Sequence, residues 1–338
     1  MIRTYRPGDE AGINALYEKV FGDRRSLEEW QWKFVAFSVG EPIIVVAELD
    51  GRIVGHAACL KIPGRFGGRD ILMGERVDIM VDPDYQGKGI YKEIVLRMTE
   101  ECRAQQIDVL YGFPAEKAKG VFLKTAGGED LGNIPRFLAI KRPGALIGSK
   151  IPVVGKFANL VDRPYGLLTK RKSLFELKEY VAGSGDADVI DALYHRFAGS
   201  YPLHAVRDSA YIERRYLAHP ARDYKVFVVM SGGEPVGYAV CVANSAANGL
   251  VTASIVDLWA APDAAVLAGI LRAIRNHLDA AAINCWAVPD SARCQALKRA
   301  GFRHINSPMP FVIKVFDSEL DVSSLADWHL SQSDVDSY

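Results

Sequence analysis

The sequence predicts an α/β protein of two tandem domains, each a mixed, mostly antiparallel twisted sheet flanked by helices. Three observations carry that expectation. First, a partly β-branched run, Val77-Asp78-Ile79-Met80-Val81-Asp82, is stopped by Pro83, and a glycine-bearing turn then leads into Lys92-Glu93-Ile94-Val95-Leu96-Arg97-Met98, apolar at helical spacing. Second, β-rich stretches at 43–49 and 52–62 flank Asp50-Gly51, a strong hairpin signal. Third, three strings of the first half return in order in the second. Gly51-Arg52-Ile53-Val54-Gly55-His56-Ala57 returns as Gly233-Glu234-Pro235-Val236-Gly237-Tyr238-Ala239, and Asp78 to Pro83 as Asp257-Leu258-Trp259-Ala260-Ala261-Pro262. Leu123-Lys124-Thr125-Ala126-Gly127 returns as Leu297-Lys298-Arg299-Ala300-Gly301.

Residues 2–6 read as a short strand, and Pro7-Gly8-Asp9 as a turn and helix cap. Ile13, Leu16, Tyr17 and Val20 make one apolar helical face. Ser26-Leu27-Glu28-Glu29 is a capping box that opens a second helix through Trp30, Trp32, Phe34 and Phe37, aromatics expected to pack against the sheet. A strand at 71–82 follows the hairpin, then a helix at 87–105, a strand at 107–113, a helix at 115–125 and a strand near 134–140. The glycine- and proline-bearing stretch from 141 to 174 reads as a linker or a cover. The expected organisation is a first domain at 1–145, a linker at 146–174, a second domain at 175–316 and an acidic tail at 317–338, lying over the surface with Trp328 as its anchor.

A chain of 338 residues with 41 basic and 41 acidic side chains has no net field to attract nucleic acid or an acidic membrane. Cys59, Cys102, Cys241, Cys285 and Cys294 are dispersed, which favours a reducing, cytoplasmic setting over disulfides or zinc. The charged start lacks a signal-peptide core, no apolar run is long enough for a bilayer, and the histidines show no paired metal spacing. No metal, nucleic-acid or membrane partner is expected, and an oligomer is left open.

The chemistry concentrates at Gln86-Gly87-Lys88-Gly89. A strand feeding a helix through such a turn leaves backbone N–H groups unpaired at the positive end of the helix dipole, a ready anion site. Gly87 and Gly89 allow close approach of a phosphate, and Lys88 adds a charge. The turn is neither a P-loop, lacking Gly-x-x-x-x-Gly-Lys-Ser/Thr, nor a dinucleotide turn, lacking the third glycine.

The wider string, Val-x-Pro-x-Tyr-Gln-Gly-Lys-Gly-Ile, resembles the acyl-CoA motif of the GNAT N-acetyltransferase superfamily, and the order of elements is that of this fold. The resemblance implies that Gln86, Gly87, Lys88, Gly89, Ile90 and Tyr91 hold the pyrophosphate of CoA. Tyr91 replaces the motif's last small residue, so its ring must point away from the phosphate. Ile79, Met80 and Val81 would align the pantetheine arm, and the strand near Leu110-Tyr111 would splay away to admit the thioester.

Transfer in this family is direct, so the cysteines are not required. A carboxylate base is expected on the strand before the loop. Glu75, six residues before Val81, falls on the same face by the period of two, where histone-acetylating members carry their glutamate. Asp78 has the opposite parity unless a bulge reverses it. Phe122 aligns with the tyrosine that serves relatives as general acid and cannot donate a proton, so the resemblance implies a role that is vacant or filled by another group such as Tyr111. The second copy reads Asp263-Ala264-Ala265-Val266 where the loop would be, so it is expected not to bind CoA.

The resulting expectation is an acetyl-CoA-dependent N-acyltransferase acting on a small-molecule amine. A looser resemblance of Tyr111-Gly112-Phe113-Pro114 through Phe122-Leu123-Lys124 to acyltransferases of polysaccharide-biosynthesis clusters suggests an amino sugar. A non-catalytic acyl-CoA-binding protein and a peptidoglycan or aminoacyl-transfer enzyme are the alternatives.

Overall fold

Asp50 and Gly51, at φ of 50° and 72°, make the tight turn between two long antiparallel strands, and the N-terminal half grows outward from that hairpin. The computed structural model describes residues 1–151, 157–170, 172–183 and 185–336. Its first half contains strands β1 (Ile2–Thr4), β2 (Ile43–Leu49), β3 (Arg52–Phe66), β4 (Arg69–Val81), β5 (Val109–Gly112) and β6 (Glu129–Ile140). Helices α1 (Glu10–Phe21), α2 (Leu27–Gln31), α3 (Ile90–Ala104) and α4 (Glu116–Ala126) accompany them. The segment read as a linker carries α5 (Pro143–Gly148) and α6 (Ala158–Thr169).

The second half repeats the order with one strand added between its first two helices: β7 (Glu176–Glu179), α7 (Ala187–Ala198), the added β8 (Leu203–Ala205), α8 (Ser209–Ile212), β9 (Tyr224–Ser231), β10 (Glu234–Ser245) and β11 (Val251–Ala260). It closes with α9 (Ala264–His277), β12 (Ala282–Trp286), α10 (Ala292–Arg299) and β13 (Arg303–Val315). In both halves the short second helix runs on into a turn of π-helix, at Trp32–Phe37 and at Glu213–Leu217.

All strands join one 13-stranded sheet in the order β1-β2-β3-β4-β5-β13-β6-β12-β11-β10-β9-β7, with β8 on β3. Read inward from its two ends, the path shows the same roles twice. The pairs β4–β5 and β11–β12 are parallel and their neighbours antiparallel. At the centre the last strands are exchanged, for β13 closes against β5 while β6 closes against β12. One buried cluster runs through both halves, from Trp30, Phe34 and Tyr111 to Tyr216, Trp259 and Phe311, so the expected aromatic packing of the second helix serves a shared core. Trp32 ties the halves directly, its indole N–H donating to the Arg214 carbonyl at 2.7 Å.

Several boundaries differ from expectation for local reasons. Helix α3 starts at Ile90 rather than 87, because Gly87 and Gly89 sit at φ of 78° and 85°, outside helical space. Strand β6 starts at Glu129 rather than near 134, since Gly127 in the left-handed region ends α4 and the chain turns straight into the sheet.

The tail departs most. Expected on the surface, it is buried from Trp328 through Val335. Charge draws it in. Arg207, wholly buried, donates to Asp257 at 3.0 Å and to Asp334 at 2.6 Å, and Arg215 donates to the Val335 carbonyl at 2.9 Å. Two interior guanidinium groups need acceptors, and the tail supplies many of them.

Candidate active site

Strands β4 and β5 pair through Met73–Val109, Gly74–Leu110 and Glu75–Tyr111, and no further. Beyond Glu75 they separate. Strand β4 continues to Val81 against β3 alone, which leaves its β5-facing edge open from Arg76 onward. The expected splay next to Tyr111 is therefore present. The open edge leads to Pro83–Tyr85, a single 3₁₀ turn, and then to the glycine loop.

Gly89 is the N-cap of α3 and brings no side chain to it. Among the described residues, no protein group accepts from the backbone N–H groups of Gly87, Lys88, Gly89, Ile90 or Tyr91. A Cβ built on Gly87 or Gly89 meets nothing within 4 Å, so the space above these amides is clear. Lys88 folds over the Tyr85 ring, 4.6 Å from its centroid. Gln86 donates to the Val81 carbonyl at 3.4 Å and steadies the turn. The Tyr91 ring points away from the loop toward α4, its hydroxyl 3.4 Å from the Ala118 carbonyl. Five unpaired amides at the positive end of a four-turn helix can take an anion the size of a phosphate.

The wedge opens into a cavity of about 420 Å³ whose walls include Tyr17, Asp23, Arg76, Asp78, Phe113 and Asp336. Asp78 sits in the bulge that parity alone did not fix. His56 pairs with Met80 and Ala58 with Val77, so Asp78 and Ile79 together face one residue of β3, and Asp78 takes φ 48°. The buried His56 ring donates from Nδ1 to the Asp78 carbonyl at 2.7 Å and pins this bulge. Burial lowers its pKa to about 4, so it stays neutral.

The bulge has two consequences. It turns the Asp78 side chain onto the face of Glu75, where Lys33 bonds both Asp78 and Asp336 and the Asp336 backbone N–H donates to Glu75. It also breaks the parity argument that put Glu75 and Val81 together. Val77 and Met80 lie in the core on one side of the sheet, and Val81 packs with Ile90 and Ile94 of α3 on the other.

The carboxylates differ sharply. Asp78 is paired with Arg25 and, at 2.7 Å, with Lys33. Burial alone would raise it, but Lys33 and Arg25 overcome that and hold it far below the ordinary range. Such a group is a poor proton acceptor. Glu75 is buried and accepts one hydrogen bond, from the Asp336 backbone N–H at 2.8 Å. Burial pushes its carboxyl well above the ordinary range, with Asp336 adding to the effect and Arg215 and Lys33 opposing it. Glu75 does not itself line the cavity, for Asp336 stands in front of it. Tyr111 is fully buried beside Glu75, its hydroxyl has no partner among the described residues, and burial holds its proton on well above the usual range. Phe122 is fully buried too, and the Arg76 guanidinium lies over its ring at 3.5 Å.

Sequence reasoning missed Arg25, Lys33, Arg76 and Asp336. Arg25, Lys33 and Asp336 are distant in sequence from what they touch, so no local pattern marks them. Arg76 was hidden by its place in an otherwise ordinary strand.

The matching place in the second half is closed. Strands β11 and β12 pair from Thr252–Ala282 to Ile255–Cys285 and then part. Here the Leu258 carbonyl is taken by Arg293 at 2.7 Å, and Asp257 is held by Arg207 and Ser331. The tail adds Gln332, which donates to Asn284 of β12 at 3.0 Å. At the start of α9 the Asp263 carboxylate accepts from the Ala265 and Val266 amides at 2.7 and 2.9 Å. The second helix end has its own anion.

Residues 1–120 match the family model described as acetyltransferase (GNAT) domain. No curated protein matches the sequence. Among solved structures, a GCN5-related N-acetyltransferase from Anabaena variabilis superposes with TM-score 0.65 and 12% identity, covering 93% of this chain and 73% of that one. A GCN5-related N-acetyltransferase from Kribbella flavida gives 0.61 and 14%, covering 94% and 73%. Saccharomyces cerevisiae N-myristoyltransferase with bound myristoyl-CoA gives 0.61 and 10%, covering 93% and 82%. At such identities the likeness is one of fold. Among the described residues no helix is long and apolar enough to cross a membrane.

Proposed function

We propose that the chain, whose residues 1–120 match the model of an acetyltransferase (GNAT) domain, moves an acyl group, acetyl in the simplest case, directly from acyl-CoA to a small-molecule amine. The observation that carries this reading is the open edge of β4 beyond Glu75, which runs from an acid-lined cavity to a helix end with five unpaired amides. The pyrophosphate of CoA lies on Gly87 to Tyr91, and its arm follows the edge of Ile79, Met80 and Val81. The myristoyl-CoA bound to the N-myristoyltransferase supports an acyl-CoA donor for this fold.

The acceptor is a cation before reaction. Tyr17 and Phe113 line the cavity and can stack against an ammonium group, and Asp23, beside Asp78 and Asp336 that Lys33 already holds, can accept from it. Glu75 takes the amine's proton at the inner end of the cavity, reached past Asp336. Its raised pKa makes it a stronger base than an ordinary carboxylate once ionised. The thioester carbonyl is polarised by backbone donors on the open edge of β4. An amino sugar is one acceptor of the right chemistry.

We further read residues 175–316 as a degenerate second copy. Its wedge is filled by Arg293 and the tail and its helix end by Asp263. The five cysteines are buried and free, which suits a cytoplasmic setting. The deciding experiment is an acceptor screen with free-thiol detection, run beside calorimetry with acetyl-CoA. Amine-dependent thiol release with one CoA per chain is expected. Two CoA per chain would overturn the degenerate copy, and tight binding without release for any amine would favour an acyl-CoA-binding protein.

A further inference from the structure

We propose that the Arg76 guanidinium holds the thiolate that leaves CoA, filling the part that the hydroxyl of an acid would play and that Phe122 cannot. The inference rests on the reading of the wedge as the acyl-CoA site.

Arg76 is the first residue of β4 past its last pair with β5, at the narrow end of the wedge, and its side chain is among those lining the cavity. Opposite it stands Gly112, where a Cβ would lie 3.1 Å from that of Arg76, so the glycine makes room for the arginine. Arg76 is only 8% exposed, yet among the described residues no carboxylate pairs with it and its Nε has no acceptor. The Tyr91 hydroxyl is within reach and Phe122 stacks beneath. A buried guanidinium without a counter-charge is costly, which makes an arriving anion its natural complement.

The other wall decides which anion. Asp78 and Asp336 are already held by Lys33, and Asp78 by Arg25 as well, so the charge that Arg76 meets is one that arises on the donor, whose sulfur turns negative as its bond to carbon breaks. In the transfer the amine nitrogen bonds to the thioester carbon, and the carbon–sulfur bond breaks with its electron pair on sulfur. The ammonium first gives a proton to water, the proton left on nitrogen after attack passes to the carboxylate base, and the thiolate rests against Arg76 until it takes a proton from water. An arginine suits this step because it stays charged even when desolvated.

The test compares CoA with desulfo-CoA, which lacks the thiol, by calorimetry across the pH range in which a free thiol, of pKa about 8.5, ionises. If Arg76 favours the thiolate, wild-type affinity for CoA rises with pH, about tenfold for each unit by which the bound thiol's pKa is lowered, while desulfo-CoA binding stays flat. In R76M both should be flat and turnover should fall. R76K, which keeps a charge, should retain part of the response, and it serves if R76M fails to fold. A pH response preserved in R76M, or absent from wild type, overturns the inference and leaves the donor site standing. Loss in R76M of affinity for succinyl-CoA alone, with the CoA response kept, assigns Arg76 to an acyl carboxylate and also overturns it. If neither CoA nor desulfo-CoA binds the wild-type chain, the donor site itself is refuted and the inference with it.

Discussion

Helices α3 and α9 stand at matching places in the two halves, and they meet their first amides in opposite ways. Gly89 caps α3 with no side chain, and among the described residues nothing accepts from its first amides. Asp263 caps α9 with a carboxylate that already bonds two of them. The same contrast runs through the wedges. Past Glu75 the first is open to a cavity, whereas past Ile255 the second is stitched by Arg293, Ser331 and Gln332. Even the matching aspartates share a device and differ in outcome. Asp78 is held by Arg25, just before the cap of α2, and Asp257 by Arg207, just before the cap of α8. Asp78 borders the cavity, and Asp257 is sealed under the tail. A shared frame thus leaves polar groups open in one half and pairs them within the chain in the other.

The comparison can be broken most forcefully at Arg207. R207M leaves Asp257 and Asp334 buried without their cation and should cost about 3–5 kcal/mol in urea unfolding. Acetyl-CoA affinity of the folded fraction should be unchanged; a specific loss of affinity would mean that the second wedge takes part in binding.

G89D carries the device of the second half into the first. The new carboxylate competes for the α3 amides and repels a diphosphate, so acyl-CoA affinity should fall about a hundredfold or more, roughly 2.7 kcal/mol. Ordinary binding in a folded G89D protein would remove the loop from the donor site.

E75Q should lower kcat by about a hundredfold while acetyl-CoA affinity holds, the range for loss of a general base. The wild-type rate should climb with pH beyond the ordinary carboxylate range, because burial raises Glu75 and only its ionised form accepts a proton. In E75Q that climb should vanish. Folding gives a separate check. A carboxyl whose folded pKa lies above its unfolded value favours the folded state most at low pH and loses that contribution as pH rises. E75Q should therefore be no less stable than wild type at neutral pH.

The smallest effect is expected for D263A. Bonds from Val266 and Ala265 hold the Asp263 carboxyl below its ordinary range, so its contribution is present above the unfolded pKa and fades as pH falls through the folded one. D263A should melt slightly earlier at neutral pH, with the gap closing in acid and acyl-CoA binding unaltered.

Much of the first site was legible in the chain because its signals are local. Pro83 ends a strand wherever it falls, and two glycines with a lysine before a helix face make an anion turn through backbone geometry that neighbours set. The hairpin at Asp50-Gly51 is of the same kind. Legibility weakened where a long-range partner chose the outcome. The parity argument at Glu75 failed for Val81 because a bulge, pinned by His56 from the neighbouring strand, shifts the phase between them. The tail looked like polar surface because nothing within 317–338 reveals Arg207 and Arg215, more than a hundred residues away.

The sequence by itself determined the order of elements, the repeated strings and the loop that can cradle a diphosphate, since these depend on torsions and contacts within a few residues. Only the tertiary structure decided that β6 and β13 change places at the centre of the sheet, that one wedge stays open while the tail fills the other, and that Arg76 has no counter-charge among the described residues. Each of those is a matter of which distant group reaches a buried polar atom first, and desolvation makes that choice binding only once the fold has closed.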